Sequence, residues 1–522
     1  MPSRPLRPNM LLVVIAFVAL FSVMLACARV MQPEGSSFWS VSAPQASQAA
    51  ATQASAALFP NPAPTNHPAG PLQTPTPDAP HPLPSLRIDP EIYQVKSGDT
   101  LGQIARQYGV SLDQIIQENN LTNPDLVEVG RTLTIPAPTP EGTGPNFKII
   151  PDSELVYGPA SVSFDTNAFV QEQGGYLASY YEEVNGVSMS GAQLIDSVAQ
   201  DYSVNPRLLL AVLEYQSHWV TQQDPTDTPR DFPLGLQDQW HKGLYLQMSW
   251  AANSLNRGFY IWRVNGVAAW VLSDGHVVPV NPTINAGTAG VQSMFASLDN
   301  LQTWETDVSA QGLFATYNTL FGYPFGYAIE PLLPAGLSQP TLQLPFEPGE
   351  NWAFTGGPHG GWGDGSAWAA LDFAPPGDAV GCVQSDAWVV AAADGVILRA
   401  GNGAVIQDLD VNGQPADGFE QTGWVLLYMH IETRDRVQPG VHLKAGERIG
   451  HPSCEGGVST GTHTHLARRY NGEWIAADQD IPFVLDGWVS SGSGFEYDGS
   501  LTRGGQTIEA YAGRSSNNGI QR

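Results

Sequence analysis

The stretch STGTHTHLARRY, residues 459–470, decides how the C-terminal part of this chain is interpreted. It sets His463 and His465 one residue apart, at the start of a short run that is typical of a β-strand. Because side chains on a strand alternate between its two faces, both imidazoles are predicted to point to the same side. Two ring nitrogens are therefore expected to converge on one spot.

Runs of similar texture precede this stretch and are separated by glycine, which is typical of an antiparallel β domain. They are WAALDFAPPG (368–377), AWVVAAADGVILRAG (387–401) and GWVLLYMHI (423–431). In the first run, Asp372 stands between Leu371 and Phe373, so its carboxylate is predicted to face away from these apolar neighbours. His430 lies near the end of the third run, and His359 lies upstream in a glycine-rich segment predicted to be a loop.

A hydrolytic zinc site takes three protein ligands of the His and Asp kind, leaves a fourth position for water, and has nearby groups that move protons. Five residues supply this set: His359, Asp372, His430, His463 and His465. The sequence contains no HExxH motif, which removes the thermolysin type of zinc site.

Between about Asn351 and Trp488, these motifs resemble those of the lysostaphin- and LytM-like peptidoglycan endopeptidases in their order and in their residues. The resemblance rests on a His ahead of LDFAPPGD, then VVAAADGVI, YMHI, VHLKAGERIGHPS and STGTHTHL. It implies that zinc is bound by His359, Asp372 and His465. It also implies that His430 and His463 flank the scissile peptide bond, and which of the two is the base stays open.

One departure from that family concerns the first ligand. Twelve residues, GGWGDGSAWAAL, separate His359 from Asp372, whereas the family usually has three. We expect the insertion to form a bulging loop that returns the imidazole to the site. Asp364 within the insertion is the competing carboxylate, but its glycine neighbours are expected to position it poorly.

An earlier segment, residues 91–137, predicts a βααβ unit with one helix beginning at Asp99-Thr100 and a second capped by Ser111. It resembles a LysM domain, which implies binding of glycans that contain N-acetylglucosamine. The residues that carry this expectation are Gly98, Asp99, Thr100 and Asn120. The alternative is a small spacer domain whose groove no longer binds sugar.

The region from 142 to 348 is predicted to be mostly helical. Part of it faintly resembles lysozyme-like lytic transglycosylases, but Gln216 occupies the position of the catalytic Glu and cannot protonate a glycosidic oxygen. Glu214, two residues earlier, would point to a different side of the helix. We therefore expect a degenerate lysozyme-like domain that binds glycan or acts as a spacer.

Residues 1–31 are predicted to be an export signal, because Arg4 and Arg7 precede an uncharged apolar run. The sequence before Cys27 resembles a lipobox, so Cys27 is a candidate for lipidation. The alternative is a signal anchor or a cleaved signal peptide. Residues 32–90 are rich in Pro, Ala, Ser and Thr and are predicted to be an extended linker.

Two cysteines, Cys382 and Cys454, remain in the exported part of the chain and are expected to form a disulfide, with two buried thiols as the alternative. The formal net charge is −27, which repels nucleic acid and anionic lipid, so neither is an expected partner of the folded part. Only the N-terminal segment is expected to contact a membrane, and the protein is predicted to be in the cell envelope or secreted.

The sequence therefore predicts a multidomain α+β protein: a LysM module, a mostly helical middle domain, and an antiparallel β metallopeptidase domain over 349–515. The predicted function is hydrolysis of peptide bonds in the peptidoglycan stem or cross-bridge, with Zn²⁺ as cofactor and LysM as the wall-binding module. The alternative function is a non-catalytic factor that binds the wall or activates amidases and keeps the metallopeptidase fold.

Overall fold

The computed structural model describes residues 75–96, 99–123, 127–377 and 380–522. The predicted export signal, Cys27, most of the linker and Gly98 lie outside the described residues. All of these described residues belong to one structural unit. Within the described ranges, no helix is both long and apolar enough to cross a membrane.

The N-terminal unit has the predicted βααβ order. Its elements are β1 (Glu91–Gln94), α1 (Leu101–Tyr108), α2 (Leu112–Glu118) and β2 (Thr132–Ile135). Thr100 and Ser111 cap the two helices, each through a reciprocal pair of hydrogen bonds with a glutamine three residues later. β1 and β2 pair antiparallel, and the buried side chains between the strands and helices form a small core of their own.

The C-terminal end of the predicted linker packs against the folded domains. The His81 ring stacks on Trp262 with a centroid distance of 4.4 Å, and Lys148 forms an ion pair with Asp78 at 2.7 Å. Arg87 donates a hydrogen bond to the carbonyl of Pro136 at 2.8 Å. These contacts hold residues 78–87 against the folded domains, which the Pro-rich composition alone did not indicate.

The middle domain is mostly helical, with two short antiparallel hairpins. Its helices are α3 (Thr166–Gln173), α4 (Tyr176–Ser179), α5 (Gly191–Tyr202), α6 (Pro206–Ser217), α7 (Leu244–Arg263), α8 (Ala286–Ala296), α9 (Leu301–Asp307) and α10 (Leu313–Phe321). Its strands are β3 (Tyr181–Val184), β4 (Val187–Ser190), β5 (Ala269–Val271) and β6 (Val277–Pro279). Gly258 of α7 lets the backbones of α7 and α8 approach closely, because a Cβ there would lie 2.5 Å from the Ala289 carbonyl.

The C-terminal domain is an antiparallel β structure. Its strands are β7 (Asn351–His359), β8 (Ala370–Ala374), β9 (Val389–Val390), β10 (Gly395–Gly401), β11 (Ala404–Leu409), β12 (Trp424–Met429), β13 (His442–Leu443), β14 (Arg448–Gly450), β15 (Thr464–Tyr470), β16 (Glu473–Trp474), β17 (Val484–Leu485), β18 (Trp488–Gly492), β19 (Gly499–Arg503), β20 (Gln506–Glu509) and β21 (Gly519–Gln521). The main sheet has the order β13-β10-β11-β12-β15-β8-β7-β21, with β16 paired to β15. A second sheet has the order β17-β18-β19-β20.

The C-terminal domain is longer at both ends than the predicted 349–515. β21 pairs with β7 in register Gly519↔Ala353, so the last residues complete the main sheet. Leu342, Leu344 and Phe346, assigned by sequence to the middle domain, are buried in the core of the C-terminal domain. These three apolar residues stand at alternate positions, which is typical of an extended segment that packs one face on a sheet.

The main sheet is buried on both faces. Along β12, Leu426 and Tyr428 pack into the core of the C-terminal domain, whereas Val425 and Leu427 pack into the core of the middle domain. This explains why the strand reads as an uninterrupted apolar run instead of an alternating one. The two domains therefore share one continuous hydrophobic interface.

Buried charges cross the same interface. Glu420 accepts hydrogen bonds from Arg399 at 2.9 Å and from Arg469 at 2.8 Å, and Arg399 also reaches Asp201 of the middle domain at 3.3 Å. Burial alone would raise the pKa of Glu420, but the two guanidinium groups outweigh it and lower the pKa below its ordinary value. Glu420 is therefore ionised, and its charge is needed to balance two buried arginines.

Substitution Glu420→Gln is expected to lower the free energy of unfolding by about 3–5 kcal/mol, because it removes the carboxylate that pairs with the buried Arg469 guanidinium and one of the two that pair with Arg399. The shift of the urea unfolding midpoint measures this. Glu347→Gln, which removes an exposed pair with Arg448, is the matched control and is expected to cost less than about 1 kcal/mol. Equal shifts for the two variants would contradict the assignment.

Candidate metal centre

Three side chains from three neighbouring strands meet at one end of the main sheet. His359 ends β7, Asp372 lies in β8 and His465 lies in β15. His359 Nε2 is 2.9 Å from His465 Nδ1, and Asp372 Oδ1 is 3.2 Å from the first and 3.3 Å from the second. Among the described residues, this is the one group of three His, Cys, Asp or Glu side chains whose ligand atoms could hold a metal ion.

Local backbone geometry brings His359 to this point. His359 is the last residue of a strand, not part of a loop as the sequence had indicated. The pairing of β7 with β8 shifts register twice between Phe354 and His359. Such irregularities re-aim side chains near active sites. In β8, Leu371 and Phe373 enter the core while Asp372 faces the cluster, as the alternation predicted.

Backbone carbonyls fix the tautomer of each imidazole ligand. His359 Nδ1 lies 2.7 Å from the Gly357 carbonyl, and His465 Nε2 lies 3.2 Å from the Gly361 carbonyl. A carbonyl oxygen only accepts, so both of these ring nitrogens donate. The lone pairs of His359 Nε2 and His465 Nδ1 then face each other and the Asp372 carboxylate.

This donor set fits a divalent cation. With both imidazoles in these tautomers, His359 Nε2, His465 Nδ1 and Asp372 Oδ1 present three electron-pair donors to one point. Four ligands at about 2.0–2.1 Å around a tetrahedral zinc ion lie about 3.3 Å apart. The three observed separations are within a few tenths of an ångström of that value.

The electrostatics of the cluster follow from burial and from Asp372. Burial acts to lower the pKa of His359, but the Asp372 carboxylate outweighs it and raises the pKa above its ordinary value. Burial lowers the pKa of His465. Burial would raise the pKa of Asp372, but His359 and His463 outweigh it and hold the pKa well below its usual range. The carboxylate is thus ionised, and a proton on His359 competes with a cation.

Two further histidines, His430 and His463, lie beside the cluster. The rings of His430 and His463 are 4.5 Å apart, and His463 Nε2 is 3.7 Å from Asp372 Oδ1. His430 Nδ1 lies 3.1 Å from the Glu455 carbonyl, and His463 Nδ1 lies 2.8 Å from the Gly461 carbonyl. Both Nδ1 atoms therefore donate, and each ring carries its lone pair on Nε2.

The backbone of His430 adopts an unfavourable conformation. It follows β12 with a φ of 63°, in the left-handed region that non-glycine residues seldom adopt. Its carbonyl accepts hydrogen bonds from the backbone N–H and the hydroxyl of Ser453. Burial, together with the nearby His463 and His465, lowers the pKa of His430 to about 3. The imidazole is therefore neutral at physiological pH.

The expected disulfide restrains the segment that leads to His463. Cys382 and Cys454 are bonded in the structure. Beside the disulfide, Thr462 N donates to the Gly381 carbonyl at 3.0 Å. The disulfide joins the loop after β8 to Cys454, and the hydrogen bond joins the same loop to the residue immediately before His463.

Asp364, the competing carboxylate, is not part of the cluster. Its two oxygens contact Asn253 and Arg257 of α7 at 2.5 and 2.6 Å. The carboxylate of Glu214, in the middle domain, also has hydrogen-bond partners: it accepts from the Thr221 hydroxyl and from the Val220 N–H. Glu214 therefore stabilises the loop after α6.

Sequence reasoning missed two residues at the site. The Tyr497 ring stacks on His359 with a centroid distance of 4.3 Å, and Glu496 accepts a hydrogen bond from the Gly360 N–H at 3.3 Å. Both lie in the loop between β18 and β19, which hydrogen-bonds to β7 through Gly357. The only signal in the sequence was an aromatic pair among glycines, and nothing linked it to His359.

In the N-terminal unit, two predicted glycan contacts have structural partners. Asp99 Oδ2 accepts hydrogen bonds from the Lys96 N–H and the Tyr93 hydroxyl, both at 2.7 Å, and Thr100 caps α1. Asn120 adopts a φ of 48° after α2. These residues shape the two turns that border the predicted groove, and sugar binding by them stays a prediction.

An antiparallel β domain with a buried His-Asp-His cluster and two flanking histidines has the features of a metal-dependent peptidase. Comparison with known proteins agrees. A model described as the N-terminal domain of LasA matches residues 148–332, and a LysM domain model matches residues 93–136.

Among relatives, protease LasA of Pseudomonas aeruginosa is 24% identical over 356 residues, which cover 62% of this chain and 74% of LasA. Beta-lytic metalloendopeptidase of Achromobacter lyticus is 28% identical over 170 residues, 31% of this chain and 41% of that protein. The solved structure of the deep-sea M23 metalloprotease pseudoalterin has a TM-score of 0.28 and 23% identity, and its match covers 36% of this chain and all of that one.

The chain therefore carries a LysM domain followed by a LasA-type N-terminal domain, and its sequence is similar to protease LasA and to beta-lytic metalloendopeptidase. This confirms the LysM and metallopeptidase resemblances of the sequence. For the middle domain, the match to LasA is more specific than the faint lysozyme-like resemblance.

The raised pKa of His359 predicts how metal binding depends on pH. Below that pKa a proton occupies the imidazole and must be displaced by the metal, so the apparent affinity is expected to fall by about tenfold per pH unit. Above it the affinity is expected to be constant. Chelator competition between about pH 8 and about pH 5 measures this, and a constant affinity across the range would contradict the arrangement.

Proposed function

We propose that this protein is an exported zinc endopeptidase that hydrolyses peptide bonds in the peptidoglycan stem or cross-bridge. The observation that carries the proposal is the convergence of His359, Asp372 and His465 on one point, with His430 and His463 beside it. The names of two relatives, protease LasA and beta-lytic metalloendopeptidase, support a peptidase reaction.

Zinc is the proposed metal because two imidazole nitrogens and one carboxylate oxygen form a ligand set that it commonly takes in hydrolases. His359 Nε2, His465 Nδ1 and Asp372 Oδ1 would hold it. The chemistry supplied by zinc held there is Lewis acidity toward a water molecule and toward the peptide carbonyl. The carbonyls of Gly357 and Gly361 fix the ligand tautomers that this requires.

We assign the proton transfers to the two flanking histidines. His463 would take the proton of the attacking water, because its Nε2 carries the lone pair and lies 3.7 Å from the ligand atom Asp372 Oδ1. His430 is poorly suited to hold that proton, since burial keeps it neutral. Its Nε2 lone pair accepts a hydrogen bond from the water and orients it.

The LysM domain is proposed to hold the protein on the glycan strands of peptidoglycan. Binding of one domain to the same polymer raises the local concentration of peptide substrate for the other. The net charge of −27 gives no attraction to nucleic acid. Export through residues 1–31, with lipidation at Cys27 or release of the chain, agrees with a substrate outside the cytoplasm.

The alternative of a non-catalytic factor that binds the wall or activates amidases is less well supported. A non-catalytic factor needs the fold but not the catalytic side chains. No functional requirement would then keep the ligand atoms and both flanking imidazoles in this arrangement. In this chain all five side chains are present and face one another.

Substitution His463→Ala is expected to lower kcat by about 10²–10⁴-fold without loss of bound zinc, because it removes the proton acceptor but no ligand. Mass spectrometry of muropeptides digested by the full chain identifies the bond cut, and metal analysis gives the zinc content. His442→Ala, at an exposed histidine paired with Asp410, is the matched control and is expected to behave as wild type.

EDTA is expected to abolish cleavage and added zinc to restore it. Wild-type protein with stoichiometric zinc that releases no new peptide ends would favour the non-catalytic alternative. New reducing sugar ends in place of peptide ends would contradict the proposed reaction.

A further inference from the structure

The loop between β7 and β8, residues 360–369, is attached to helix α7 of the middle domain. Asn253 donates through Nδ2 to Asp364 Oδ1 at 2.5 Å, and its Oδ1 accepts from the Gly365 N–H at 2.9 Å. Arg257, one helical turn further along α7, forms an ion pair with Asp364 at 2.6 Å. The attachment is thus made by two side chains of one helix face.

The loop backbone lies directly against α7. A Cβ on Gly365 would lie 2.0 Å from the Asn253 carbonyl oxygen, and a Cβ on Gly363, where φ is 65°, would lie 2.6 Å from Asn253 Oδ1. Neither position has room for a side chain without a shift of the helix or the loop. The glycines that lengthen this insertion therefore permit its contact with the middle domain.

The other side of the same loop contacts the metal ligands. Gly361 supplies the carbonyl that accepts from His465 Nε2, and His359 immediately precedes the loop. Hydrogen bonds from the Gly361 N–H to the Ala367 carbonyl and from the Trp362 N–H to Ser366 Oγ close the loop on itself. A continuous set of contacts therefore runs from α7 to both imidazole ligands.

Such a loop needs an external support. It has glycine at positions 360, 361, 363 and 365, and glycine loses more conformational freedom on ordering than any other residue. If the loop moved, the Gly361 carbonyl would no longer select the tautomer and orientation of His465. Mutation of groups that orient metal ligands typically lowers metal affinity or activity by roughly 10–100-fold.

We propose that Asn253 and Arg257 of the middle domain are positioning residues for the metal centre, so that the LasA-type domain completes the metal site of the C-terminal domain. The inference rests on the proposed function, because it concerns the same metal. It gives the middle domain a role other than that of a spacer or a sugar-binding unit.

The test uses the full chain with Asn253→Ala and Arg257→Ala. Both variants are expected to bind zinc about tenfold more weakly in chelator competition. They are also expected to change the visible absorption spectrum of the Co²⁺-loaded protein, which reports the geometry of the ligands. Arg257→Lys retains the charge next to Asp364 and is expected to recover most of the affinity.

Arg263→Gln is the matched control. Arg263 lies on the same helix and pairs with Glu473 of the C-terminal domain at 2.9 Å, so its loss weakens the same domain interface. The described contacts of Arg263 do not include the loop of residues 360–369. The control is expected to lower the thermal unfolding temperature while zinc affinity and the Co²⁺ spectrum stay as in wild type.

The outcomes separate the two proposals. If wild-type protein fails to bind zinc in stoichiometric amount, the proposed function is wrong and the positioning role falls with it. If wild type binds zinc but Asn253→Ala and Arg257→Ala match it in affinity and spectrum, the positioning role alone is wrong. Equal weakening by Arg263→Gln would likewise overturn it, because general loss of domain docking would then be the cause.

Discussion

Repulsion between the unshared electron pairs of three buried ligand atoms is the main constraint on the C-terminal domain. His359 Nε2, His465 Nδ1 and Asp372 Oδ1 lie within 3.3 Å of one another, and backbone carbonyls hold the protons of both imidazoles on the opposite nitrogens. A buried arrangement of this kind is unfavourable unless positive charge enters it. A proton on His359 or a divalent cation supplies that charge, and only the cation satisfies all three atoms at once.

The rest of the fold keeps these atoms in place. β15, β8 and β7 are neighbours in a sheet that is buried on both faces, so the strands carrying the ligands cannot shift without disturbing two cores. The buried arginines Arg399 and Arg469 hold the middle domain against that sheet through Asp201 and the Gln200 carbonyl. The glycine-rich insertion can therefore carry a ligand-orienting carbonyl, because the helix and the sheet that it contacts are themselves held in place.

Much of the site could be predicted because its signals are local. The spacing of His463 and His465, and the position of Asp372 between two apolar residues, follow from strand alternation alone. His359 was the weakest prediction, because the register shifts of β7 are not visible in its sequence. Carbonyls such as that of Gly361 carry no sequence signal. Contacts between distant segments, such as Asn253 with Asp364, could not be foreseen, and neither could the burial of β12 on both faces, because each depends on how the two domains pack together.

The most direct test is anomalous diffraction at the zinc edge from crystals of the full chain grown with zinc. The account predicts one anomalous peak about 2.0–2.2 Å from His359 Nε2, His465 Nδ1 and Asp372 Oδ1, with a fourth position open to water or substrate. A cluster without a peak while zinc is bound elsewhere, or a peak that one of these three side chains does not contact, would contradict it.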